Sequence, residues 1–144
     1  MHTAAFAWYL DGAGLVVFGR DGADCFLEDA PSEVANAVEI ISQPGAEPVP
    51  VRDGYDSPDF QLIVRADGTQ GQARQGYERI CGLRDALCGL HNITLAEGTP
   101  DEVRVISVIA KTAAPVSLGK DSGGHHRWSV AFRTEIRHVT PLRV

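Results

Sequence analysis

Residues 60–90 read FQLIVRADGTQGQARQGYERICGLRDALCGL and carry a strand followed by a helix. In Phe60–Asp67, the residues Phe60, Leu62, Val64 and Ala66 alternate with Gln61, Ile63, Arg65 and Asp67. A strict period of two puts the apolar set on one sheet face. Asp67-Gly68-Thr69 then turns the chain. From Gln70 to Leu90, the residues Ala73, Tyr77, Ile80, Leu83, Leu87 and Leu90 recur every three or four positions. That spacing is the apolar stripe of a helix lying on a sheet. Gly76, Gly82 and Gly89 interrupt it, and each costs about 1 kcal/mol relative to Ala. Close packing or curvature is therefore expected at those glycines.

Upstream, Thr3–Leu10 (TAAFAWYL) is helix-like, with Asp11-Gly12 and Gly14 as its stop. Leu15–Phe18 is a short apolar run, and Cys25–Leu27 is a short strand candidate. Val34–Ser42 (VANAVEIIS) reads as a strand with Val34, Asn36, Val38 and Ile40 on one face. Residues 43–58 hold four prolines and two glycines and read as a long extended loop. Downstream, a break at His91-Asn92 and a turn at 97–100 precede two long strands. Glu102–Thr112 places Val103, Val105, Ser107 and Ile109 on one face, with Ile106 and Val108 on the other. Arg127–His138 turns Trp128, Val130, Phe132, Thr134 and Ile136 to one side. The two strands are expected to pair as an antiparallel hairpin, with residues 113–126 (AAPVSLGKDSGGHH) as a long tip loop.

The fold expected is α+β: a two-layer sandwich, with two helices on one face of a mainly antiparallel sheet and long loops, as a single domain over 1–144. Loops of this length in a compact domain are usually functional. The other sheet face, bearing Ile63, Ile106 and Val108, reads as a contact surface or as the bed of loop 43–58.

The chain has 144 residues and a formal net charge of −6. Residues 1–60 hold 11 acids and 2 bases, and residues 61–144 hold 8 acids and 11 bases. Such a bipolar chain suits self-assembly, because unlike ends attract. No Lys/Arg cluster is interleaved with aromatics, as a nucleic-acid grip requires. No run approaches the roughly 18–20 apolar residues of a membrane span, and no signal peptide is expected. The three cysteines, Cys25, Cys81 and Cys88, are an odd number and read as small buried hydrophobes.

Catalytic and ligand chemistry is thinly represented. Asp121, His125 and His126 are the one cluster of metal-ligand type, but adjacent residues entering a strand point to opposite faces. Ser122 and Cys81 lack a nucleophile's local signature. Residues 14–19 (GLVVFG) have the wrong glycine spacing for a dinucleotide fingerprint, and Gly68-Thr69-Gln70-Gly71 lacks the Lys and Ser/Thr of a phosphate loop. Trp8 and Trp128 read as core or interface anchors. No cofactor and no metal is expected, and the protein is not expected to be an enzyme. The competing reading is a small cytoplasmic enzyme or ligand-binding domain with its site near Asp121, His125 and His126.

Three stretches resemble the tail-terminator, or minor capsid, family of long-tailed bacteriophages. Residues 58–65 (PDFQLIVR) are similar to that family's Pro-x-hydrophobic-Gln strand ending in Arg. Residues 73–87 (ARQGYERICGLRDAL) are similar to the helix that follows. Residues 115–124 (PVSLGKDSGG) resemble its Leu-Gly-x-Asp loop, which leads into an aromatic last strand, here Trp128–Phe132 (WSVAF). His125-His126 stretch the family's Gly-Arg junction before Arg127, and Ala131 stands where an Asn is common.

The resemblance implies a hexameric ring on the head-proximal end of the tail tube, in the virion at the head–tail interface and assembled in the host cytoplasm. It implies three partners: further copies of the chain, the tail tube protein, and a neck or head-completion protein. Genome DNA would pass through the lumen without specific binding. The interface residues it implies are Arg65, Pro115, Leu118, Gly119, Asp121 and Arg127, with Val49 and Tyr55 on loop 43–58. Acids of the first 60 residues are expected to line part of the channel. A neck or head-completion protein of related fold is the alternative within the same setting.

Overall fold

The computed structural model describes residues 2–45, 55–68 and 71–137. Among these residues, two helices and eight strands form in the order α1 (His2–Gly12), β1 (Cys25–Leu27), β2 (Val38–Gln43), β3 (Tyr55–Asp56), β4 (Asp59–Ala66), α2 (Gln72–Leu87), β5 (His91–Leu95), β6 (Val103–Ala110), β7 (Val116–Lys120) and β8 (His126–Arg137). The class is α+β, and the sheet is mostly antiparallel and curled. Its strand order is β1-β2-β4-β8-β6-β5, with β3 and β7 also paired to β8. β1 and β2 run parallel, and an isolated parallel bridge joins Phe18 to Cys25.

The long strand β8 organises the sheet. On one side it pairs β4 from Asp59↔Arg133 to Ala66↔His126, and β3 continues that side at Tyr55↔Arg137. On the other side β6 covers its second half and β7 its beginning. The alternation of residues 60–67 translates directly into burial: Phe60, Leu62, Val64 and Ala66 are buried. Phe60 lies between Phe6 and Phe132, with ring centroids 4.7 and 4.8 Å away. α1 packs against β1, β2 and β5, which include both ends of the strand path, so the curl of the sheet closes around it. α2 packs against β4, β8 and β6, and buries Gly76, Ile80, Leu83 and Leu87.

Several expectations change. Residues 113–126 are not one open loop: 116–120 form β7, so the hairpin with β8 closes in a short turn at 121–125. Loop 43–58 loses Gln43 to β2 and Tyr55–Asp56 to β3, and its residues 46–54 lie outside those described. Residues 91–95, read as a break, form the strand β5. The strand read from Val34 starts at Val38. In β6 the register shifts between Val105 and Ser107, which reverses the side-chain alternation. Val108 is therefore fully buried, and Ile109 is 58% exposed. Cys25 is buried, and burial pushes its thiol pKa up to about 12. Cys81 and Cys88 are only half-buried, because they flank the apolar stripe of α2 instead of lying on it.

Candidate functional site

Four of the residues singled out from sequence, Arg65, Gly119, Asp121 and Arg127, meet where the β7–β8 turn approaches β4. Arg65 sits on the polar face of β4, yet its residue exposure is only 8%. Its guanidinium is bound on several sides. Nη1 donates to the carbonyls of Pro31 (2.8 Å) and Val34 (3.1 Å). Nη2 donates to Glu39 Oε1 at 3.1 Å, and Nε lies 3.6 Å from Asp121 Oδ2. Arg65 thus ties the arch before β2, β2 itself and the β7–β8 turn to β4. Burial raises the Glu39 carboxyl above its ordinary pKa, while Arg65 and Arg127 pull against that shift.

Asp121 shapes the turn. Its Oδ1 accepts the backbone N–H groups of Gly123 and His125, both at 2.9 Å. Its own N–H donates to the His125 carbonyl at 2.8 Å. The two N–H bonds to Oδ1 hold its carboxyl below the ordinary Asp range, the His125 N–H first, with the His125 and Arg65 charges adding to it. Asp in a tight turn, binding N–H groups two and four residues on, is a local sequence device and needs no tertiary support.

Across the sheet, Gly119 faces Arg127 and Arg127 faces Arg65. Gly119 adopts φ +73° beside a register shift that leaves Leu118 between two paired positions. Leu118 is 39% exposed and Val116 50%. Pro115 is half-buried at the entrance to β7. Arg65, Gly119, Asp121 and Arg127 therefore come together, with Leu118 on the same hairpin. Tyr55 does not join them. It pairs with Arg137, whose guanidinium lies 5.5 Å over its ring. That is roughly 33 Å along β8 from Arg127 at about 3.3 Å per residue. Val49 lies outside the described residues.

The two histidines diverge. His125 Nδ1 lies 3.5 Å from Asp121 Oδ2, whereas the His126 ring meets Ser117 Oγ at 3.1 Å and stacks at a tilt on Trp128. Among the described residues, no three His, Cys, Asp or Glu side chains are grouped to hold a metal ion. Among them, too, no helix is long and apolar enough to cross a membrane. What the site can do is positional: it places the β7–β8 turn beside β4, with the exposed Val116 and Leu118 on the adjoining strand.

Sequence reasoning missed Glu39 and the arch of residues 31–34. Glu39 was visible as the one acid inside the apolar run Val38–Ile41. The arch carbonyls are backbone groups and leave no residue-type signal. Ile109 was missed because the bulge reversed its face.

The sequence matches the family described as "Bacteriophage tail terminator protein" over residues 9–137. No curated protein matches it. Among solved structures, it is similar to a chain of "Virion of native gene transfer agent (GTA) particle" at a TM-score of 0.61 and 18% identity, covering 94% of both chains. At that identity the likeness speaks for the fold. The family match spans both the β4–α2 unit and the Asp121 hairpin, so the chain belongs to the bacteriophage tail terminator family, a family of structural virion proteins.

Proposed function

We propose that this protein caps the finished tail tube as a ring, stops tube polymerisation and presents the surface that joins the head's neck proteins. The observation that carries the reading is the β7–β8 hairpin. It is held in the sheet by the pairing of β7 with β8, its turn is placed beside Arg65 at Asp121, and it displays Val116 and Leu118 to solvent. Exposed apolar residues on a braced projection are a docking device; an unbraced loop would pay ordering entropy on contact. Closure into a ring removes free strand edges that would otherwise pair indiscriminately. The hexamer, the tube protein and the neck protein are the partners this role requires, and Arg65, Gly119, Asp121 and Arg127 serve as the brace behind the docking residues. Tyr55, at the far end of β8, belongs to a second contact, and Val49, six residues before it in sequence, is assigned to the same contact. The whole chain, 1–144, acts as one domain.

The first 60 residues, with 11 acids against 2 bases, line part of the lumen in this reading. A negative wall repels phosphate and lets DNA slide past. A ring with a basic lumen would contradict that part. The direct test is polymerisation of purified tail tube protein with and without this chain, scored by electron microscopy. Capped, shortened tubes with a ring at one end are expected. Tubes of unchanged length with no density at either end would overturn the role, and binding to isolated heads instead of tubes would favour a neck or head-completion protein.

A further inference from the structure

Among the described residues, the large apolar side chains that reach solvent fall, apart from Tyr77, into two groups. Ile109, Val116 and Leu118 lie on β6 and β7. Trp8 and Leu15 lie on and just after α1, where Trp8 meets Phe18 edge-on at 4.7 Å. The sheet places the groups at opposite ends of one row. Ser117 of β7 pairs with Trp128, Trp128 with Val64, Val64 with Val38, and Val38 with Cys25. Cys25 in turn bridges to Phe18. The two outermost of these strands, β7 and β1, lie about 19 Å apart measured along the curled sheet, at roughly 4.8 Å per strand. Among the described residues, β7 pairs with β8 alone.

Charge differs between the ends in the same sense. Asp21, Asp29 and Glu33 flank β1, all exposed, and none forms an ion pair among the described residues. Lys120 and Arg133 lie beside Leu118 and Ile109, also exposed and outside any ion pair there, with Glu135 two positions from Arg133 as the one exposed acid on that face of β8. Two unlike exposed apolar patches on different parts of the sheet, one with exposed acids near it and one with exposed bases near it, suit head-to-tail association of identical chains.

We propose that the Val116/Leu118 hairpin of one copy docks on the Trp8/Leu15/Phe18 surface of the next, so that this contact is the repeating interface of the ring. The inference rests on the ring reading above and names the surfaces that build it. Leu118 is the knob. The exposed indole of Trp8, whose ring lies against Phe18 and over Gly19, forms the floor of the socket. Lys120 approaches the acids around β1. Gly19 is fitted to that floor: a Cβ there would come within 2.8 Å of the Trp8 ring.

The test uses two single variants, Leu118→Asp and Leu15→Asp, whose native folding is checked by thermal melting. Each is measured by light scattering, alone and mixed at equal concentration, and on purified tail tubes by electron microscopy. The knob-less and socket-less chains should each stay monomeric alone. Mixed, they should form a dimer and stop, because one intact knob meets one intact socket. Wild-type chain should close a ring, in solution or on tubes. If wild type forms rings and both variants do so equally well, the proposed interface is wrong while the ring reading stands. If Leu118→Asp forms rings but fails to bind tubes, the hairpin contacts the tube instead of a neighbouring copy. If wild type forms no ring in either setting, the ring reading fails and the interface with it.

Discussion

Phe132 is the residue on which the core depends most plainly. It is fully buried, and its ring stacks on Phe60 at 4.8 Å with 16° between planes. Phe132→Ala should cost about 3–5 kcal/mol, because the cavity adds to the lost transfer energy. Urea denaturation reads it, and an unchanged midpoint would mean the ring is not packed as described. Asp121 offers a different reading at the same scale. Its carboxyl is held below the ordinary value of 3.8, so the turn is fully supported above that value. Support is lost as pH falls through the lower folded-state pKa. Glu39, raised by burial, contributes with the opposite sign, so a global acid melt mixes the two. Hydrogen exchange at the Gly123 and His125 amides isolates Asp121. Their protection should drop in acid in the native chain. In Asp121→Asn, which keeps an acceptor oxygen but does not titrate, that acid-dependent drop should be absent. An identical pH profile in the two proteins would show that the turn is held by something else.

At the scale of elements, the glycines of α2 separate helix propensity from packing. Gly82 is exposed, and a Cβ added there meets nothing within 4 Å. Gly82→Ala should stabilise the protein by about 1 kcal/mol. Gly76 is buried against the sheet, and its added Cβ would lie 2.8 Å from Ala66 Cβ and 3.3 Å from Trp128 Cδ1. Trp128 is fixed there by its indole N–H, which donates to the Ala73 carbonyl at 2.9 Å. Gly76→Ala should therefore lose about 1–3 kcal/mol despite alanine's helix preference. Thermal melts of the two variants shifting in the same direction would refute the contrast. The same helix shows what sequence can and cannot disclose. The stripe Ile80, Leu83 and Leu87 is legible because it repeats with the helical period. The strand β5 is not, because two of its five residues are His91 and Asn92, and its pairing to β6 comes from tertiary contact. The β6 bulge is equally silent: one unpaired residue turns Val108 inward and Ile109 outward without any change in residue type. At the candidate site, Asp121 and Arg65 stood out as charges in patterned segments. Their partners in the arch are main-chain oxygens, which any sequence supplies.

For the whole molecule, the decisive property is the separation of charge. The excess of nine acids in residues 1–60 and of three bases in 61–144 is partly neutralised across the halves, as where Arg79 pairs with Asp24 beside β1, but Asp21, Asp29 and Glu33 stay exposed near β1 and Lys120 stays exposed at the end of β7. Attraction between exposed charges on neighbouring copies is long-ranged at low salt and short-ranged at high salt. The Debye length falls from about 10 Å at 0.1 M to about 3 Å at 1 M. The apolar contact through Leu118 responds in the other direction, since salts that are excluded from protein surfaces strengthen burial. The two contributions can therefore be told apart by titration. With sodium chloride, assembly of wild-type chain should weaken between 0.05 M and 0.5 M, read as a rising midpoint concentration in light scattering. Lys120→Glu should assemble less well than wild type at low salt. Its deficit should shrink as salt rises, because screening then removes a repulsion where it had removed an attraction. Leu118→Asp, by contrast, should stay defective at every salt concentration. If wild-type assembly is indifferent to salt and Lys120→Glu assembles normally, the opposed rims of charge play no part in bringing the copies together.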